Sequence, residues 1–175
     1  MHPAERLAAA RTITRHIAAT RWLHGARPIG LYVSIGLEVD TQGLRALARR
    51  RGCAVYLPRI EDYRRRTMLF ARDGDQPAVL NRHGIPEPAR VETLPARTLS
   101  VVFLPLLGFD GHGARLGSGA GYYDRAFAFR RHRHSWHRPL LVGIAYACQR
   151  LDAIDTTGHD VPLDAVVTEL GVEHF

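Results

Sequence analysis

Apolar residues recur every three or four positions through the N-terminal stretch, with Leu7, Ala10, Ile13 and Ile17 on one face, so residues 4–23 are expected as an amphipathic helix. The period then changes. "PIGLYVS" (28–34) is a short apolar run of strand length, and "EVDTQGLRALARRRG" reads as a helix that starts at Asp40 or Thr41 and stops at Gly52. "CAVYLP" (53–58) is a second strand and completes a β-α-β unit. "TMLFARD" (67–73) is a further strand, whereas "HGIPEP" (83–88) is expected to be irregular because two prolines interrupt it. "LSVVFLP" (99–105) is the best buried-strand pattern in the chain. "YYDRAFAFRR" then reads as a helix, and "PLLVGIAYA" (139–147) and "LDAVVTEL" (163–170) as strand material. Strands alternating with helices predict an α/β fold with a mainly parallel sheet, in which ligands bind at the carboxyl ends of strands. Both "SIGLEVD" and "LLGFDGHGARLGSGAG" fall just after a predicted strand, so a shared site is expected.

The bulk properties narrow this further. A chain of 175 residues without repeats or low-complexity linkers is expected to be a single domain, 1–175. No run of about 18 apolar residues occurs, so no membrane span is predicted. The N-terminal stretch mixes Arg and Glu among its apolar positions, unlike a secretory signal, and a cytoplasmic location is expected. Cys53 and Cys148 stand in apolar surroundings and are expected as buried free thiols. The net charge is +7 and all 24 cations are arginine. That balance favours anionic partners. The absence of lysine excludes a P-loop ending in Gly-Lys-Ser/Thr and any lysine Schiff-base or lysine-nucleophile chemistry.

The densest chemical signal is "RLGSGAGYYD" (115–124), with glycine at 117, 119 and 121. Each glycine in an ordered segment costs roughly 0.5–1 kcal/mol against alanine. The return is a backbone that can turn successive N–H groups toward an anion, here leading into a helix start. Arg115 stands beside it and can clamp phosphate oxygens through two parallel hydrogen bonds. A dinucleotide fingerprint fails on spacing, because the sixth position counted from Gly117 is Tyr122 rather than glycine. A hydride-transfer enzyme is therefore disfavoured.

The stretch "LPLLGFDGHGARLGSGAGYYDRAF" resembles the signature of the 5-formyltetrahydrofolate cyclo-ligase (methenyltetrahydrofolate synthetase) family. "LYVSIGLEVDT", "GIPEP", "GIAYACQ" and "GHDVPLDAVVTE" resemble other segments of that family, so the likeness covers roughly residues 28–172. The resemblance implies a three-layer α/β/α sandwich of the NagB/RpiA/CoA-transferase type. It also implies an ATP- and Mg²⁺-dependent conversion of 5-formyltetrahydrofolate to 5,10-methenyltetrahydrofolate, with release of ADP and phosphate. The chemistry suits a phosphate-cradling loop. A formamide oxygen is a poor leaving group until it is phosphorylated, after which the neighbouring anilino nitrogen can close the ring. Phosphoryl transfer of this kind is carried mainly by positioning and charge neutralisation.

By the same resemblance, ATP lies on Arg115, Leu116, Gly117, Ser118, Gly119, Ala120, Gly121, Tyr122 and Tyr123, with Arg115 and Tyr122 in catalytic roles. Asp124 and Asp160 would hold Mg²⁺, a cation suited to carboxylate and phosphate oxygens. The residues alone also allow a salt bridge within the helix for Asp124 and a turn before Pro162 for Asp160. Glu38 would accept hydrogen bonds from the pterin, and Val33, Ser118 and Tyr122 would complete the folate site; Tyr123 reads equally as a core residue, and Asp40 and Thr41 as helix caps.

Three departures from the family pattern stand out. The Lys and Arg that members carry before the first long helix have no counterpart ahead of "MHPAERL". Either translation starts further upstream, or another arginine takes their place, or ATP affinity is lowered. Thr157 replaces a Glu in "DTTGHD", and Ala120 replaces a loop glycine. These departures leave open an alternative, a cyclo-ligase-like protein that binds folate or RNA without catalysis. Nucleic acid is otherwise not an expected partner, and a monomer is expected. "RRHRHSWHR" (130–138) could grip a polyglutamate tail or RNA, or offer His132, His134 and His137 to a metal, but it reads first as a solvated helix end. The arginine runs at 49–51 and 64–66 read as solvated faces.

Overall fold

The computed structural model describes residues 1–74, 78–82, 84, 86–88, 92–132 and 138–175. The first helix, α1, spans Pro3–Ala19, and the His2 backbone N–H donates to Glu5 Oε2 at 2.6 Å to cap its start. It ends before the expected residue 23 because the hydroxyl and the N–H of Thr20 both turn back to the Ile17 carbonyl. Its buried face is Ala9, Ala10, Ile13 and Ile17, while Leu7, expected on that face, is 47% exposed. At about 100° per residue, Leu7 falls roughly 60° outside the arc between Ala9 and Ala10, and Arg6 falls near its middle.

Strand β1 is only Pro28–Gly30, shorter than the apolar run 28–34 suggested. Beyond it the chain folds on itself: the Tyr32 hydroxyl donates to the Val39 carbonyl at 3.0 Å, and Thr41 Oγ1 donates to the Tyr32 carbonyl at 2.7 Å. Helix α2 (Gln42–Arg50) follows, with Asp40 Oδ1 accepting the Gln42 N–H. Thr41 occupies the cap position, but its hydroxyl bonds the loop and not the helix. Strands β2 (Ala54–Asp62) and β3 (Thr67–Arg72) form an antiparallel hairpin, and β4 (Ala78–Leu80) and β5 (Pro86–Pro88) a small separate one. The expectation of an irregular 83–88 segment is thus corrected for Pro86–Pro88; residues 83 and 85 lie outside the described residues. Proline is tolerated there because a two-stranded ribbon is all edge.

The chain continues through β6 (Thr93–Leu94), β7 (Val101–Pro105), β8 (Gly108–Phe109), β9 (Arg115–Leu116), α3 (Tyr122–Ala126) and a 3₁₀ turn over Ala128–His132. It closes with β10 (Leu140–Ile144), β11 (Ala165–Thr168) and β12 (Gly171–His174). The main sheet has eight strands in the order β12-β11-β10-β7-β1-β2-β3-β6. The five from β11 to β2 pair in parallel, and β12, β3 and β6 add antiparallel edges.

Alternation along β7 divides the core. Val101 and Phe103 join the apolar cluster that includes Ile13 and Ile17 of α1 and Leu44 and Ala48 of α2. Val102 and Leu104 face the opposite cluster with Phe70, Phe109, Phe127 and Leu141. The result is the expected α/β sandwich, with a thinner second helical layer built from α3 and the 3₁₀ turn. Among the described residues no helix is long and apolar enough to cross a membrane. Cys53 is buried as expected, but Cys148 is exposed because it sits in a turn beyond the end of β10. Arg49 stays exposed, as expected of the 49–51 run, and has an ion-pair partner as well. It pairs with the almost fully buried carboxylate of Asp73 at 2.9 Å, which Arg45 grips as well.

Candidate active site

The glycine segment does not hang directly from the central strand. The β8–β9 hairpin intervenes, and a single side chain fixes its turn. Asp110 is 2% exposed; its Oδ1 accepts the N–H groups of His112 (2.9 Å) and Ala114 (3.0 Å), and its Oδ2 accepts that of Ile154 (3.1 Å). Burial alone would raise its carboxyl pKa, but these three donors and the nearby His112 hold it below the usual range. The sequence reading assigned Asp110 no role. The "FDGHG" run signals a turn, yet nothing in it reveals the bond to Ile154.

Arg115 starts β9 and sits beneath the loop. Its side chain is 7% exposed, and Nη2 donates to Asp124 Oδ1 at 2.6 Å. A Cβ placed on Gly117 would lie 3.4 Å from Nη1, so the guanidinium touches the loop backbone. Its Nε is buried and has no hydrogen-bond partner. The candidate clamp is a buried guanidinium, held by Asp124 and lying 6.0 Å from the centre of the Tyr123 ring.

Gly119 (φ 84°) and Gly121 (φ 69°) carry the loop through the left-handed region that L side chains rarely adopt, and Gly121 occupies the cap position of α3. Space is open where a Cβ on Gly119 would stand. Ser118 and Leu116 are exposed. Among the described residues, none receives a backbone hydrogen bond from the N–H groups of 117–121. Ala120 offers its carbonyl to Arg66 (3.3 Å) and Arg125 (3.4 Å), so Arg66 of the 64–66 run leans on the loop. With only five residues, α3 adds little dipole, and any anion must be met by the loop itself. Tyr122 packs at the margin of the second core cluster. Tyr123 packs there too, stacked on Phe127 at 6.4 Å, which supports its reading as a core residue.

The second segment arrives from the far end of the chain. Asp124 Oδ1 also accepts the Val161 N–H at 3.2 Å, which brings Asp160 beside it in the chain. Asp160 Oδ2 accepts the N–H (2.6 Å) and the hydroxyl (3.0 Å) of Thr157. Thr157 thus ties down the turn that presents Asp160. Among the described residues no three His, Cys, Asp or Glu side chains form a metal cage. Mg²⁺ needs none, since one or two carboxylates plus phosphate oxygens suffice. The side chains of His132, His134 and His137 lie outside the described residues.

Glu38 borders a cleft of about 210 Å³ shared with Arg6, Ser34, Asp40 and Tyr146. Its Oε2 accepts the Ile35 N–H at 3.0 Å, and burial pushes its carboxyl pKa up against that bond. Burial likewise drives the Tyr123 hydroxyl well above its ordinary range; the Glu38 charge adds to the rise and Arg115 opposes it. Glu38 and Arg115 thus both act electrostatically on Tyr123, which follows the glycine loop in the chain. Val33 is half-buried at the edge of the first core cluster.

A model of the 5-formyltetrahydrofolate cyclo-ligase family matches residues 1–169, across the loop, the cleft and the Asp160 turn. The chain belongs to that family. The cyclo-ligase of Escherichia coli K12 is 36% identical over 146 residues, covering 82% of this chain and 78% of the relative. That of Haemophilus influenzae is 34% identical over 160 residues, covering 89% and 82%. Among solved structures, the 5,10-methenyltetrahydrofolate synthetase of Aquifex aeolicus superposes with a TM-score of 0.83 at 26% identity, covering 99% of this chain and 84% of that one. A synthetase from Mycoplasma pneumoniae, at 20% identity and a TM-score of 0.73, shares the cyclo-ligase fold.

Proposed function

We propose that the protein is an ATP- and Mg²⁺-dependent 5-formyltetrahydrofolate cyclo-ligase that acts as a cytoplasmic monomer, with residues 1–175 as one catalytic unit. Family membership supports the reaction class. The observation that carries the residue assignment is the convergence of Arg115, Asp124 and the 157–161 turn beside a loop whose amides make no backbone hydrogen bond among the described residues.

In this reading the N–H groups of 117–121 and the buried Arg115 guanidinium take the phosphates. The unmatched Arg115 Nε and the open space at Gly119 fit such a ligand. Asp124 and Asp160 fit Mg²⁺, which when bound supplies charge neutralisation on phosphate oxygens. Glu38 accepts N–H donors of the pterin and orients the ring, with Val33, Ser118 and Tyr122 alongside. Arg115 and Tyr122 then stand by the γ-phosphoryl as it passes to the formyl oxygen and ADP departs. The anilino nitrogen adds to the activated carbon and gives up its proton, and the C–O bond breaks as phosphate leaves carrying that proton, giving the methenyl bridge. The buried setting strengthens the Arg115 charge where negative charge moves.

The test mixes the protein with 5-formyltetrahydrofolate and Mg-ATP and follows the absorbance of the methenyl product. Product that depends on all three components is expected. Equilibrium binding of both reactants without any product would support the non-catalytic alternative instead.

A further inference from the structure

Arg6 lies in the first turn of α1, near the centre of the face whose later positions, Ala9, Ala10, Ile13 and Ile17, are buried. That face calls for an apolar residue. The position is also electrostatically adverse, because the free N–H groups at a helix start disfavour a cation. The side chain nevertheless lines the cleft that Ser34, Glu38, Asp40 and Tyr146 share. Its Nε is buried without a hydrogen-bond partner, and Arg6 enters none of the ion pairs among the described residues. The two nearby carboxylates are engaged on their own loop, Glu38 with the Ile35 N–H and Asp40 with the Gln42 N–H. An arginine that breaks the pattern of its helix face, opposes the helix dipole and leaves a buried donor unmet contributes nothing evident to stability. Such violations concentrate at functional positions.

We infer that Arg6 binds an oxyanion in the cleft, forming a charge-assisted fork with a phosphate or carboxylate group of a bound reactant. The inference rests on the cyclo-ligase reading, whose two reactants each carry such a group: the phosphates of the nucleotide and the glutamate carboxylates of the folate. Guanidinium geometry suits both, because its parallel N–H donors match two oxygens on one atom. Arg6 thereby sets reactant affinity from an element outside the glycine loop.

The experiment measures KM, kcat and equilibrium binding for Mg-ATP and for 5-formyltetrahydrofolate separately, in wild type, Arg6→Ala and Arg6→Lys. Arg6→Ala is expected to weaken one reactant about tenfold or more in both KM and binding, the scale of a lost charge-assisted bond. The change in kcat should be smaller. Arg6→Lys should recover part of the loss, because it keeps the charge and loses the fork. The thermal midpoint of Arg6→Ala should equal or exceed that of wild type, which a merely structural arginine would not allow. Loss confined to Mg-ATP identifies a phosphate partner, and loss confined to the folate identifies a carboxylate. Changes below twofold for both reactants overturn the inference, as does a wild type that binds neither. Arg6-dependent binding of Mg-ATP in a wild type that forms no methenyl product would leave the oxyanion role standing and remove the cyclo-ligase reading.

Discussion

Replacing Asp110 by alanine removes a buried carboxylate that no other group can stand in for. Three backbone N–H groups lose their acceptor: His112, Ala114 and, from the segment beyond β10, Ile154. Hydrogen bonds to a charged acceptor each contribute about 1.5–3 kcal/mol. His112 is exposed and its N–H regains water, so two of the three losses count in full and the total is about 3–6 kcal/mol. With a urea m-value of about 2 kcal/mol per molar, the unfolding midpoint should fall by about 1.5–3 M. Asp110→Asn keeps an oxygen for His112 and Ala114 but turns an NH₂ toward the Ile154 N–H, so its loss should be intermediate. The comparison has a pH signature. Because the folded pKa of Asp110 lies below its unfolded value, its stabilisation is present above the ordinary carboxyl range and disappears as pH falls through the depressed value. The gap between wild type and Asp110→Asn should therefore close in acid. A midpoint shift below about 0.5 M for Asp110→Ala, or a gap that widens in acid, would refute the assignment of Asp110 as the pin of this hairpin.

Glu38→Gln should be more stable than wild type at neutral pH. The raised folded pKa of Glu38 means stability declines as pH climbs from the ordinary carboxyl value through the folded one, and glutamine removes that decline; urea titrations at acid and neutral pH read it. The same variant should raise the KM for the folate while leaving that for ATP little changed. Arg115→Ala should raise the KM for ATP at least tenfold, more than that for the folate; the reverse order in steady-state kinetics would count against the phosphate-binding role.

The central strands were legible because they are local apolar runs, whereas the short edge strands Thr93–Leu94 and Gly171–His174 carry no such pattern. "VVFLP" alternates between two faces that are both buried, and "LLVGI" and "AVVT" read the same way for the same reason. The α1 face was legible except at Leu7, which lies roughly 60° outside the buried arc, and at Arg6, a cation near the middle of that arc. The glycine loop was visible as composition. Its engagement was not: Arg115 meets Asp124 nine residues on, and Asp124 meets Val161 another 37 residues away. Those contacts depend on the parallel order of β7, β10 and β11, which no local window contains. The cleft at Glu38 is hidden for the same reason, since its walls come from α1, the 31–41 loop and the end of β10.

The central claim is that the amides of 117–121, with Arg115 beneath them, receive the phosphates of the nucleotide. Isotope-labelled protein titrated with Mg-ATP tests it residue by residue through backbone amide chemical shifts. The account expects the amides of Gly117 to Gly121 and the Arg115 Nε–H resonance to move together with one saturating dissociation constant. Saturable binding that leaves those resonances in place and shifts another segment would contradict it.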